Sequence, residues 1–470
     1  MLFNVADFTE KSFQPTLGLS YLKVYAEKHL DAPQNFEIKI LRSKIMETIE
    51  KEQPEIVGIS AVTQHYTRAV KVAKQIKKLS PRSKLIIGGV HISTLPESFD
   101  AIFDVGVIGE GEKTFTELLN FYCAGEFYRE NFQKIDGLVY FQDNELRKTA
   151  SRRLIENLDE VPPVDRSAFN IRGITHVVSS RGCPYACAFC SSSHFWGGRN
   201  VRYHSAEYVF GELKELIAKY KVSYITFWDD LFVADTNRLR KLVVLMDGEK
   251  KLFKNVSISA NCRANIVTPE LCELMRAAHI KFVTMGLESG SDAVLRTIKG
   301  AVNVEQNKRA IDILKRYGFN VQASFIIGNP DETEKDIAAT YDFIKNSNLD
   351  GGCVNVAIPM PATSYWQHGK DRGLVNEKMD FGKLTVKTKF RALKPEDDFI
   401  LLTDKVDRGA FVEWGRKIEK TLDAKSARSA LSLNFIFSKS AILLAIKNPA
   451  LAIKRLFYLV AGPLKNLWRG

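Results

Sequence analysis

Three cysteines crowd into eight residues of this chain: RGCPYACAFC spells Cys183-x3-Cys187-x2-Cys190. Three thiolates can hold three irons of a four-iron, four-sulfur cube. No fourth cysteine lies nearby, which leaves one iron open to an outside ligand. Zinc is the competing reading, since His194 would complete a Cys3His set. Structural zinc usually holds a small module, whereas this triplet follows a strand at the mouth of a long α/β segment. The remaining cysteines, at 123, 262, 272 and 353, are too few and too scattered for a disulfide scaffold, so a reducing compartment is expected. They are expected to be ordinary buried thiols.

The elements that must position the triplet show in the periodicity. In the first 125 residues, LFNVA, FEIKIL, EIVGIS, KLIIGG and AIFDVGVIG read as strands. Between them LGLSYLKVYAEKHL, KIMETIEKEQ, TRAVKVAKQIKKL and KTFTELLNFYCAG carry apolar residues at helical spacing. The fold class is therefore α/β, with an N-terminal doubly wound, Rossmann-like parallel sheet over residues 1–136. Its ligands would lie beyond the carboxyl ends of the strands. A hairpin turning at Asp143-Asn144 and a proline-containing linker fill 137–172. From 173 to 362, HVVSS, YITFWDD, VSISANCR, FVTMGLES, VQASFIIG and CVNVAIPM alternate with helices. Six such repeats suit a partial (β/α)6 barrel with its site at the carboxyl ends. Residues 363–470 read as mixed, then helical.

The triplet, with Phe189 just before its last cysteine, resembles the signature of the radical S-adenosylmethionine superfamily, and the resemblance runs over about residues 173–362. It implies a [4Fe–4S] cluster whose open iron chelates S-adenosylmethionine and whose electron splits the sulfonium bond to leave a deoxyadenosyl radical. It also implies a cofactor pocket. Asp229 and Asp230 of WDD would meet the methionine amino group, an acidic pair beside an ammonium. Arg263 would face the methionine carboxylate. Glu288 and Ser289 of GLESGS would bind the ribose or the methionine end. Gly328 and Asn329, with Pro330, would border the adenine. One departure stands out: His279 occupies a helix end where the family often has glycine, so this helix is expected to end differently, with a buried, hydrogen-bonded histidine.

The N-terminal segment resembles the cobalamin-binding class of that superfamily through PTLGLSYL, GISAVT, GGVHIS and GEGEKTF. This likeness implies that Ser60 and Thr63 bond a nucleotide tail or face the cobalt, and that Gly88, Gly89 and Gly109 line the corrin and its tail. The chain has no D-x-H-x-x-G, and His91, in a different context, is not expected to ligate cobalt. Only Cys123 precedes the triplet and only Cys353 follows Cys272, so a single cluster is expected and methylthio transfer is excluded. The class includes anaerobic magnesium-protoporphyrin monomethyl ester cyclases and cobalamin-dependent C-methyltransferases. The expected activity is C-methylation of a hydrophobic lipid, isoprenoid or tetrapyrrole substrate, served by an electron donor such as ferredoxin or flavodoxin. Oxidative cyclisation or carbon–carbon coupling is the alternative, and a non-catalytic zinc or iron–sulfur module a remoter one.

The net charge of +12 does not suggest a nucleic-acid surface. No acidic residue follows Asp423, and eight of the excess charges lie in the last 47 residues, leaving +4 for the rest. Uncharged runs in that tail are shorter than the ~20 residues of a membrane span. It reads either as basic amphipathic helices on an anionic membrane surface or as helices covering the site. The opening MLFNVADFTEK reaches acidic residues at once, so no secretory signal is expected and the chain is read as cytoplasmic, with peripheral membrane contact through the tail.

Overall fold

The computed structural model describes residues 1–8, 16–167, 169, 171, 173–387 and 389–431. The basic tail from 432 onward, and its expected membrane contact, lie outside the described residues. The chain divides into two compact units: residues 1–215 with 359–385, and residues 216–358 with those from 386 on.

The first unit alternates as the periodicity requires: β1 (Leu2–Asn4), α1 (Leu17–His29), β2 (Ile40–Leu41), α2 (Ile45–Glu52), β3 (Ile56–Ser60), α3 (Tyr66–Leu79), β4 (Lys84–Gly88), α4 (Val90–Thr94), β5 (Val105–Val107), α5 (Gly111–Cys123), β6 (Leu138–Gln142) and β7 (Glu145–Lys148). The seven strands order as β2-β1-β3-β4-β5-β6-β7. The first five are mutually parallel, with the switch point between β1 and β3. The expected hairpin is not a separate module. It extends this sheet as an antiparallel edge, turning where Asp143 (φ 52°) and Asn144 (φ 62°) are both left-handed, as a type I′ turn demands. The short α4 at GGVHIS was not expected.

Further along come β8 (Ile174–Val177), β9 (Ser180–Arg181), α6 (Ser192–Phe195), β10 (Arg202–Tyr203) and α7 (Ala206–Ala218). The second unit holds β11 (Tyr224–Phe227), α8 (Thr236–Gly248), α9 (Lys250–Phe253), β12 (Ser257–Cys262), α10 (Pro269–Ala277), β13 (Ile280–Glu288), α11 (Asp292–Ile298), α12 (Val304–Arg316), β14 (Asn320–Ile327), α13 (Glu334–Asn346) and β15 (Gly351–Val356). Its five strands pair in parallel in chain order; the sixth expected strand, β8, precedes the unit boundary. Thr268 caps α10 by accepting from Leu271 N, with Pro269 in the first turn, as its sequence indicated. α14 (Ser364–Asp371) belongs to the first unit and α15 (Arg408–Leu431) to the second.

The end of α10 corrects the expectation for His279. The helix ends with this histidine itself left-handed (φ 57°), and the residue is half-buried. Its carbonyl accepts from Ile258 N at 3.0 Å, a bond into β12 that holds the strained backbone in place.

His91 is buried in the first unit, its Nε2 2.8 Å from Ser98 Oγ and its Nδ1 without a partner. Its ring stacks on Tyr66 at 4.0 Å and meets Phe381 edge-on at 4.4 Å. Phe381 comes from the returning segment, and its N–H donates to Thr67 Oγ1 at 2.9 Å. Burial pushes His91 down from 6.5 to about 3, so the folded chain keeps the ring neutral where the unfolded chain protonates it. Its contribution to stability is complete above pH 6.5 and is lost as the pH falls from there toward 3. Urea unfolding at stepped pH should show this acid-side loss, and His91→Gln should remove that part of the slope. An unchanged slope would refute the assignment.

Candidate active site

The glycine turns of the first unit open onto one cavity of about 280 Å³ at the carboxyl ends of β3, β4 and β5. Ser60, Gly88, Gly89 and Gly109 line it, with apolar walls that include Leu17, Ile59 and Phe115. Gly89 has φ +103°, and a Cβ there would stand 2.7 Å from Ala61 O, so only glycine allows this close approach. Thr63, by contrast, is buried in the following 3-10 turn and is not among the lining residues. His91 is absent from the lining too. An apolar slot with bare backbone edges fits the flat tail of a nucleotide-bearing ligand.

The three cysteines lie half-buried on one loop of the same unit, with Cys190 N donating to Cys187 O at 3.0 Å. Gly182 opens the loop at φ +109°, and a Cβ there would meet Asn200 O at 2.5 Å. The loop's base is closed by antiparallel pairing of β9 with β10, Arg181 opposite Arg202. Both arginines run to the start of α5. Arg181 reaches Glu110 at 2.7 Å and Glu112 at 2.5 Å, and Arg202 reaches Glu110 at 2.9 Å. Glu110 also accepts from Ile155 N, and the Arg181 guanidinium lies 5.8 Å from the rings of Tyr21 and of Trp196. Glu110, Glu112, Arg181 and Trp196 all line the cavity, so one ion network joins the cavity wall to the cysteine loop. Phe189 packs 6.3 Å from Tyr365. His194, the fourth ligand of the zinc reading, is exposed. Among the described residues no three His, Cys, Asp or Glu converge on a single ion. A cube needs no such convergence, because each thiolate takes its own iron.

In the second unit the remaining candidates stand at successive strand ends. Asp229 is buried and Asp230 exposed after β11, with Asn261 Nδ2 donating to Asp229 O at 3.0 Å. Arg263, buried after β12, donates from Nη2 to Lys299 O at 3.2 Å. Lys299 Nζ lies 3.5 Å from Glu288 Oε1 and also donates to Gly286 O. Glu288 is left-handed (φ 67°) beside a bulge in β13. Burial raises its carboxyl above the usual range, against the opposing pull of Lys299 and Arg263. Ser289 Oγ pairs with Thr340 Oγ1 at 3.0 Å. Gly328 (φ 81°) and Asn329 end β14 under Glu332, whose Oε2 accepts from both backbone N–H groups and from Asn329 Nδ2. Burial pushes the Glu332 carboxyl up to about 8, and its Oε1 has no partner.

Arg181, Glu110, Glu112, Lys299 and Glu332 were not among the expected site residues. Glu110, Glu112 and Glu332 stood inside quoted motifs, GEGEKTF and FIIGNPDET, so those were within reach. The pairing of Arg181 with residues about seventy positions away was not.

The chain is similar to known proteins. The Radical SAM superfamily model matches residues 177–344, and the B12 binding domain model matches residues 8–119. An uncharacterized methyltransferase of Pyrococcus horikoshii is 32% identical over 366 residues, covering 75% of this chain and 78% of that protein. The anaerobic magnesium-protoporphyrin IX monomethyl ester cyclase of Rubrivivax gelatinosus is 26% identical, covering 79% of this chain and 66% of the cyclase. Among solved structures, the radical S-adenosylmethionine methyltransferase TsrM of Kitasatospora setae, with cobalamin and a [4Fe–4S] cluster bound, superposes with a TM-score of 0.64 at 17% identity, covering 78% of this chain and 74% of that one. The chain belongs to the radical S-adenosylmethionine superfamily, in the class that carries a B12-binding domain.

Proposed function

We propose that this chain is a cobalamin-dependent radical enzyme that methylates an unactivated carbon of a hydrophobic substrate, with residues 173–362 as its catalytic core and 137–172 as the link to the N-terminal domain. One observation carries the reading: the cysteine loop and the cavity of the B12-type domain share the Arg181–Glu110–Glu112 network within one compact unit. When bound, the cluster with S-adenosylmethionine supplies a carbon-centred radical, and cobalamin supplies the methyl group. The chain's own residues hold and orient. Cys183, Cys187 and Cys190 give three thiolates. Asp229 and Asp230 take the methionine ammonium and Arg263 its carboxylate. Glu288 and Ser289 face the ribose or methionine end, and Gly328 and Asn329 border the adenine. Ser60, Gly88, Gly89 and Gly109 cradle the cobalamin tail. A ferredoxin- or flavodoxin-type donor and contact of the tail with a membrane surface complete the proposal. The likeness to the cyclase favours a second reading, oxidative cyclisation or carbon–carbon coupling without methyl transfer.

The test is anaerobic reconstitution with iron, sulfide, reductant, S-adenosylmethionine and hydroxocobalamin. The expected result is a brown protein that forms 5′-deoxyadenosine and keeps cobalamin through gel filtration. Cys187→Ala should lose the brown colour and the deoxyadenosine together, whereas Cys123→Ala should keep both. Deoxyadenosine without retained cobalamin would shift the reading to cyclisation or coupling. Zinc at the triplet with no deoxyadenosine would overturn it.

A further inference from the structure

Strand β14 alternates strictly: Val321, Ala323, Phe325 and Ile327 are buried, while Asn320, Gln322, Ser324 and Ile326 are half-exposed. A parallel sheet is ordinarily apolar on both faces, and a filled barrel packs its interior with Val, Ile and Leu. Here the strand register extends the polar face across the second unit. Asn261, Thr284 and Gln322 form one row, and Gly286, Ser324 and Cys353 the next, with Asn355 opposite Ile326 beyond. Towards the amino ends Phe282 and Tyr224 close the face, ring to ring at 5.4 Å. No charged residue stands in these rows. The nearest cations at the carboxyl ends, Arg263 and Lys299, are gathered at Glu288. Among the described residues the Thr284 and Ser324 hydroxyls have no hydrogen-bond partner, while Asn355 Nδ2 is turned to Phe325 O and Cys353 Sγ. At the end of β11, across β12 from β13, Trp228 is 57% exposed.

We propose that this polar face is a substrate subsite and that the moiety it takes is neutral and hydrogen-bonding, a hydroxyl-bearing or amide group. The inference rests on the radical-enzyme reading for the identity of the site and goes beyond it in naming what enters. A hydrocarbon or bare ring laid here would strip water from the Thr284 and Ser324 hydroxyls without replacing their bonds, whereas the Gln322 and Asn355 amides already donate within the sheet. An anion would find no cation in the rows. The substrate is thus an amphiphile, its polar group against the sheet and its apolar part towards Trp228.

Cys353 is exposed on this face and reports on it. The experiment follows its alkylation by iodoacetamide, located by peptide mass spectrometry, in the anaerobically reconstituted full chain. Cys123, exposed in the other unit, is the reference, and buried Cys262 and Cys272 check that the fold is intact. The probes are butyl β-glucoside, butyl phosphate and butylbenzene. Butyl glucoside should slow alkylation of Cys353 and leave Cys123 unchanged. Thr284→Val with Ser324→Ala should weaken that protection about tenfold, the loss of two ordinary hydrogen bonds, with the unprotected rate unchanged. Equal or better protection by the phosphate or by butylbenzene overturns the proposal, as does no protection by any probe. Alkylation needs no cleavage of S-adenosylmethionine, so this result and the deoxyadenosine assay fail independently.

Discussion

Arg181→Met should destabilise the chain by about 3–5 kcal/mol, the usual consequence of removing one partner from a buried ion pair. Arg181, Glu110 and Glu112 have side chains only 5–6% exposed. Without the guanidinium, Glu110 keeps Arg202 and Ile155 N, whereas Glu112 loses its only ion-pair partner in the network. The second change Glu112→Gln should therefore recover most of the loss, because a neutral amide is far less costly to bury than an unpaired carboxylate. Guanidinium unfolding of the three chains measures this. If Arg181→Met unfolded within about 1 kcal/mol of the parent, as an exposed pair would, the network would not be the anchor described.

Gly182→Ala carries the second large effect. A left-handed alanine costs about 1–2 kcal/mol on its own, and here its Cβ would stand 2.5 Å from the Asn200 carbonyl oxygen, which as backbone cannot swing aside. The combined loss should be about 2–4 kcal/mol, and the cysteine loop should shift with it, so iron and sulfide content after reconstitution should fall. Gly198→Ala is the control: its φ is also positive, at +128°, but nothing lies within 4 Å of the added Cβ. It should show the backbone term alone and keep its iron. Equal losses in both variants would remove the steric argument.

Much of this was legible in the residues because it is local. Strand–helix alternation follows from apolar spacing, the Asp143-Asn144 turn from two residues that tolerate positive φ, and the α10 start from Thr268-Pro269. The cysteine triplet and the glycine turns were equally plain, since few other residues can do their work. What escaped depends on distance along the chain or on backbone forced by packing. The Arg181 network joins residues that only the fold brings together. His279 takes a left-handed conformation uncommon outside glycine, at a helix end whose carbonyl is bonded into β12. The period-two polarity of β14 was readable, yet an expected barrel strand directs attention to its apolar residues. Thr63 was placed by motif, and the 3-10 turn at Thr63–His65 takes it away from the cavity lining.

The segment 359–385 leaves the second unit after β15 and lays Phe381 against His91 and Tyr66 before the chain departs again. The B12-type domain is therefore not a bead that gene fusion can lift whole from one chain and thread onto another. A fragment stopped at residue 172 would carry the cavity glycines but leave His91 and Tyr66 without their lid. A transplant that keeps the rings of His91, Tyr66 and Phe381 together must carry two separate stretches of sequence.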